Sequence, residues 1–196
     1  MLPLGEADQH TLLRMAREAL ESHLNFADPP DVPQPDETLR QPCGAFVTLR
    51  KGKNLRGCIG VIAADKPLYM TVRECAVWAA LHDPRFSPVT KSELPGLTLE
   101  ISVLSPLEDI APEDVEVGRH GLVISEGGHR GLLLPQVAVE WKWDRERFLS
   151  ATCRKANLPP DAWRYGARIQ AFTAQVFEES PASNASHPAS SSHPAA

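Results

Sequence analysis

Two strand-like runs, residues 43–50 and 55–62, flank Lys51-Gly52-Lys53-Asn54, and this arrangement constrains the fold more than any other stretch. A glycine-containing turn between two such runs predicts a β-hairpin, and hence antiparallel sheet. A further strand is expected at 97–104, where Leu97, Leu99, Ile101 and Val103 alternate with polar partners. A second hairpin is expected from 121–125 and 130–134 around Gly127-Gly128. Residues 168–177 read as one closing strand.

Helices are expected to flank this sheet. Leu12, Leu13, Ala16, Ala19, Leu20 and Leu24 recur at helical spacing, with Arg14, Arg17, Glu18 and Glu21 opposite. Five prolines in 28–42 predict an extended connection. Asp65 is placed to cap a second helix with Pro67 in its first turn. Its apolar stripe is Leu68, Val72, Cys75, Ala76 and Ala79, and Pro84 stops it. Pro135 opens a helical stretch carrying Val137, Trp141 and Trp143, and another helix covers 144–156. The predicted class is α+β, with a mixed or antiparallel sheet flanked by helices.

A length of 196 residues fits one large domain or two small subdomains sharing a core. Residues 1–179 form that unit. Residues 180–196 contain little besides Ser, Ala, Pro, Asn and His, and are expected to be disordered. A formal net charge of −5 gives no broad attraction for a phosphate backbone, so nucleic-acid binding is not expected. Cys43, Cys58, Cys75 and Cys153 form no C-x-x-C pair, and no histidine cluster completes a metal-binding spacing. The start of the chain lacks the charged-then-apolar pattern of a signal peptide, and no apolar run approaches the ~20 residues of a membrane helix. A cytoplasmic protein with reduced thiols is expected, with no metal or cofactor.

The candidate site centres on Leu55-Arg56-Gly57-Cys58-Ile59-Gly60. Strand alternation puts Leu55, Gly57 and Ile59 on the face that meets the helices, and Arg56, Cys58 and Gly60 on the other. A thiol two residues from a guanidinium is a pairing used to activate cysteine nucleophiles. Gly57 and Gly60 would admit a ligand or another backbone close to the strand. The alternative is structural: Cys58 as a small buried hydrophobe and Arg56 as an ion-pair partner.

His82 falls at a helix C-terminus, where the dipole favours a cation. Asp83 and Arg85 can clasp each other, or Arg85 can offer its forked donors to a carboxylate or phosphate. Glu100 lies on the polar side of its strand, and either pairs with an arginine such as Arg56 or lines a wet cleft. His120 and Arg130 flank the second hairpin, with Ser125 opposite Arg130 and Glu126 opposite His129. The candidate catalytic residues are therefore Cys58, His82 and His120. The candidate ligand-binding residues are Arg56, Gly57, Gly60, Arg85, Glu100 and Arg130.

Taken in order, several blocks resemble the AMMECR-type domain, also called AmmeMemoRadiSam system protein A. The first are Leu55-Arg56-Gly57-Cys58-Ile59-Gly60, Asp83-Pro84-Arg85-Phe86 and Glu100-Ile101-Ser102-Val103-Leu104. They continue through His120-Gly121-Leu122, the run from Arg130-Gly131 to Gln136-Val137, Trp143-Asp144, Phe148-Leu149, Cys153, Lys155, Leu158-Pro159 and Trp163. The likeness covers about residues 8–178. It implies a larger and a smaller subdomain around a cleft bordered by the Arg56–Gly60 segment. It also implies a Memo-like protein and a radical SAM enzyme as partners, and it fixes no reaction. Two functions follow as expectations: an accessory protein that holds a ligand in the cleft, or a Cys58-dependent enzyme acting on a small anionic or nucleotide-like substrate.

Overall fold

Leu12, Leu13, Ala16, Ala19 and Leu20 give α1 (Glu6–Leu24) an apolar stripe, and all five are buried. The computed structural model describes residues 3–27, 35–62 and 65–180. α1 packs beside α3 (Leu68–Leu81), whose Leu68, Val72, Cys75, Ala76 and Ala79 are likewise buried. Together the two helices cover one face of a four-stranded antiparallel sheet in the order β2-β1-β3-β8. Its strands are β1 (Ala45–Lys51), β2 (Asn54–Val61), β3 (Leu97–Leu104) and β8 (Ala174–Glu178). The hairpin turn falls at Gly52-Lys53, where Gly52 has φ of 59°.

The second lobe is an insertion between β3 and β8. Its antiparallel sheet, in the order β4-β7-β5-β6, comprises β4 (Glu108–Asp109), β5 (Gly121–Glu126), β6 (His129–Leu133) and β7 (Arg168–Phe172). The predicted cross-strand pairs Ser125↔Arg130 and Glu126↔His129 are formed. Against this sheet lie α4 (Pro135–Glu140) and α5 (Arg145–Lys155). Asp144 caps α5 by accepting from the Arg147 N–H at 2.8 Å. Phe148, Leu149 and Cys153 on α5 meet Leu122, Ile124 and Ile169 in a second core.

Three sequence expectations are corrected. The closing strand is two strands: the chain leaves one sheet at Phe172 and enters the other at Ala174, pivoting at Thr173. Its outward crossing, at Ser105, is bound to this return crossing. The Ser105 N–H donates to the Thr173 carbonyl at 2.9 Å, and the Thr173 N–H donates to Ser105 Oγ at 2.9 Å. Secondly, the proline-rich connection contains a short helix, α2 (Glu37–Arg40), anchored by buried Leu39; residues 28–34 lie outside the described residues. Thirdly, Asp65 does not cap α3. Pro67 occupies the N-cap position, and the Leu68 N–H donates instead to the Gln41 carbonyl. The expected disorder of the tail concerns residues that, from 181 onward, lie outside the described ones.

The lobes meet where Leu104, Val123 and Phe172 are buried together, with Phe46 and Ile62 of the first lobe and Leu132 and Leu134 of the second packed against this cluster. This contact lies on the sheet face opposite the helices, beside the strand that carries Cys58.

Candidate functional site

β2 is the edge strand of its sheet, so one side of its backbone has no strand neighbour. A two-residue turn in regular register would set Cys58 opposite Val47. The register shifts between Leu49 and Arg50, leaving Arg56 as the extra residue, so that Cys58 faces Thr48 and Gly57 faces Leu49. The bulge thus transfers Cys58 from the helix-packed face to the polar face. There the Thr48 hydroxyl donates to Cys58 Sγ at 3.3 Å. Gly57 and Ile59 face the helices, as alternation predicts, but Leu55 lies before the bulge and is 36% exposed.

The glycines are filled by protein. A Cβ on Gly57 would lie 2.0 Å from the Ala79 carbonyl oxygen of α3, and one on Gly60 would strike the Phe46 ring. These two residues bring backbone and ring close to the strand, so the close approach expected at each is made by the protein itself on its Cβ side.

The loop after α3 closes the strand edge. Asp83 is buried, with its carboxylate beneath Arg85. One carboxylate oxygen accepts from the Arg85 backbone N–H at 3.1 Å and Nε at 2.9 Å. The other accepts from Arg85 Nη2 at 2.6 Å and from the Cys58 backbone N–H at 2.8 Å. Arg85 Nη2 also donates to the Cys58 carbonyl at 3.3 Å. Both outward backbone groups of Cys58 are therefore satisfied by side chains rather than by a strand. Arg85 holds the Asp83 carboxyl well below the usual carboxylate range, helped by the Cys58 N–H. The reciprocal effect of Asp83, and secondarily of Cys58, raises the Arg85 guanidinium.

The cation beside the thiol is consequently Arg85 and not Arg56. Arg56 is engaged elsewhere: its Nε and Nη2 bind Glu93 at 3.0 and 3.1 Å, and it also donates to the Ser87 and Pro88 carbonyls. Its geometry is that of a structural ion pair: Arg56, then the Thr90 N–H, lower Glu93 to about 2. Glu100 pairs with Arg50 rather than Arg56, at 3.4 Å. His82 is exposed at the end of α3. His120 Nδ1 accepts from the Glu116 N–H at 3.1 Å in the second lobe. Among the described residues neither histidine is a hydrogen-bond partner of Cys58, so the expected thiol–base pairing is not formed. Arg130 is exposed on β6, also in the second lobe.

Thr48 escaped the sequence reading because its contact depends on the bulge, which no local residue pattern marks. Cavities of about 370 and 260 Å³ elsewhere on the surface have no lining residue from β2. Cys58 itself is partly exposed, and Thr48 beside it is buried. No group of three or more His, Cys, Asp or Glu among the described residues is arranged to hold a metal. No described helix is long and apolar enough to cross a membrane.

The sequence model of the AMMECR1 family matches residues 13–177. The chain belongs to the AMMECR1 family. The match spans both lobes and every residue of the clasp. Among AMMECR1 relatives, a protein of Methanothermobacter thermautotrophicus is 46% identical over 189 residues, covering 90% of this chain and 97% of its own. Protein PF1979 of Pyrococcus furiosus is 44% identical, over 86% of each chain. The crystal structure of protein PH0010 from Pyrococcus horikoshii is similar with a TM-score of 0.82 at 41% identity, covering 90% of this chain and 93% of that one. The two-lobed α+β arrangement is thus an AMMECR1 fold.

Proposed function

We propose that this AMMECR1 protein is a cytoplasmic accessory protein that binds a small anionic ligand at Arg85 beside Cys58, and works with a Memo-like protein and a radical SAM enzyme. One observation carries the ligand reading. Arg85 is 55% exposed although its counter-charge, Asp83, is 2% exposed beneath it. Its guanidinium lies 5.5 Å from the Phe86 ring centroid, but its Nη1 has no hydrogen-bond partner among the described residues, leaving donors free for a carboxylate or phosphate oxygen. The partners rest on the family resemblance. The cytoplasmic setting rests on four free cysteines.

The test is titration of the full chain with inorganic phosphate and with acetate, read from the NMR signals of Cys58 and Arg85. Saturable shifts are expected in the native chain and are expected to vanish in the Asp83→Asn/Arg85→Gln double variant, which leaves no buried charge unpaired. Unchanged spectra in the native chain overturn the ligand reading. For the partners, co-purification with co-expressed Memo-like and radical SAM proteins is expected, and failure to retain either removes that part.

A second reading, Cys58 as a nucleophile toward a small anionic or nucleotide-like substrate, is favoured by the Thr48 hydroxyl directed at Sγ. It ranks second because a nucleophile needs an adjacent base. Cys58→Ser separates the two: anion affinity survives under the first reading, whereas the second requires loss of a Cys58-linked covalent adduct detectable by mass spectrometry.

A further inference from the structure

Cys58 belongs to a row of side chains running across the sheet. Thr48 is the cross-strand partner of both Cys58 on β2 and Glu100 on β3, and Glu100 in turn faces Glu178 on β8. The neighbouring row, at Phe46 and Gly60, lies under the second lobe, because Phe46 packs into the junction with Leu132 and Leu134. The Glu100–Thr48–Cys58 row is the next one out. Thr48 is buried in its middle, and both ends stay partly open.

The ends expose groups of opposite sign, a guanidinium above a buried carboxylate at one and two carboxylates beside a single guanidinium at the other. At the β2 edge stands the exposed guanidinium of Arg85. At the other end Glu100 is 17% exposed and meets the 35% exposed Arg50 through one carboxylate oxygen only. Its second oxygen has no partner among the described residues, and exposed Glu178 adds a further negative charge beside it. Adjacent strands lie ~4.8 Å apart, so the Glu100 and Cys58 columns are separated by roughly 10 Å, with Arg85 beyond the second. An α-amino acid is too short to bridge such a distance. An extended chain of three residues spans roughly 10 Å.

We propose that the ligand of this row is a short peptide with free termini, its carboxylate on Arg85 and its ammonium on Glu100. The inference rests on the anion site described above and names the ligand class for it. The uncharged middle of the row suits the peptide's interior, and the groups of opposite sign at the two ends fix its direction. Inorganic anions occupy the Arg85 end alone.

The experiment titrates the full chain with trialanine, N-acetyl-trialanine and trialanine amide, following the signals of Cys58, Arg85 and Glu100 by NMR. Trialanine is expected to bind, and each capped form about tenfold more weakly, as loss of one charged hydrogen-bonding end predicts. Glu100→Gln is expected to erase the penalty for acetylation while keeping that for amidation. The Asp83→Asn/Arg85→Gln variant is expected to do the reverse, and thermal unfolding of each variant checks that it is folded. Equal binding of capped and uncapped forms overturns the proposal. Phosphate binding without trialanine binding also overturns it but leaves the anion site standing; binding of neither removes both.

Discussion

Asp83 accepts a hydrogen bond from the backbone N–H of Cys58 at 2.8 Å across 25 positions of sequence. Because β2 is an edge strand, that N–H would otherwise face solvent or a foreign strand. The same carboxylate holds Arg85, which returns to the Cys58 carbonyl. One carboxylate thereby closes the sheet edge and orients the cation of the proposed site.

This dual role predicts a pH dependence. Asp83 and Glu93 both have folded-state values depressed from ordinary ones of 3.8 and 4.5. Their contribution to stability is therefore complete above the unfolded-state values and is lost as pH falls toward the folded ones. Urea unfolding should show stability declining from about pH 4.5 toward pH 2. Asp83→Asn should cost about 2 kcal/mol at neutral pH and flatten that decline. Parallel pH profiles for the variant and the native chain would count against the clasp as its source.

The thiols should separate cleanly by reactivity. Cys43, Cys75 and Cys153 are buried, and desolvation raises each, Cys75 to about 11. Cys58 is partly exposed. Iodoacetamide under native conditions is expected to modify Cys58 alone, with the other three reacting only after denaturation; peptide mass spectrometry reads this directly. Labelling of Cys75 at a rate comparable to Cys58 would contradict the packing described.

Much of the fold was legible in local signals. The turn at Gly52-Lys53, the alternation over Leu97–Leu104, the Gly127-Gly128 hairpin and the apolar stripes of α1 and α3 each follow from a few adjacent residues. What was hidden depends on distant partners. Nothing in 168–177 marks Thr173 as the point where the chain changes sheets, since strand pattern runs on both sides of it. The Arg56 bulge is invisible without register, and it caused the principal error at the site. Sequence proximity set Arg56 beside Cys58, whereas folding brings Arg85 there and sends Arg56 to Glu93.

Gly57→Ala tests the close approach of α3 to β2. The added Cβ would meet a backbone oxygen at 2.0 Å, and backbone in a packed helix yields little. A destabilisation of about 3 kcal/mol is expected in urea unfolding. Gly96→Ala is the control: a Cβ there meets nothing within 4 Å, so its effect should stay within about 0.5 kcal/mol. Similar effects at both positions would mean that Gly57 is not a contact point.

Glu179, just past the end of β8, is fastened to the first helix by a nearly buried ion pair. Arg17 Nε donates to Glu179 Oε1 at 2.9 Å, and its Nη2 donates to the other carboxylate oxygen. The same guanidinium reaches the Leu94 and Leu97 carbonyls, while Glu179 also accepts from the Leu99 N–H at 2.9 Å. Only 13% and 10% of the two side chains is exposed. Removing one partner leaves a charge desolvated and uncompensated, so Glu179→Ala or Arg17→Ala should each cost about 3 kcal/mol. Replacing both with apolar residues, Arg17→Met with Glu179→Leu, removes the charge problem together with the pair. That double variant should be more stable than either single one, giving a large coupling energy in a double-mutant cycle. Additive losses would show that the pair acts as two independent surface contacts, and that β8 is held to α1 by the apolar core alone.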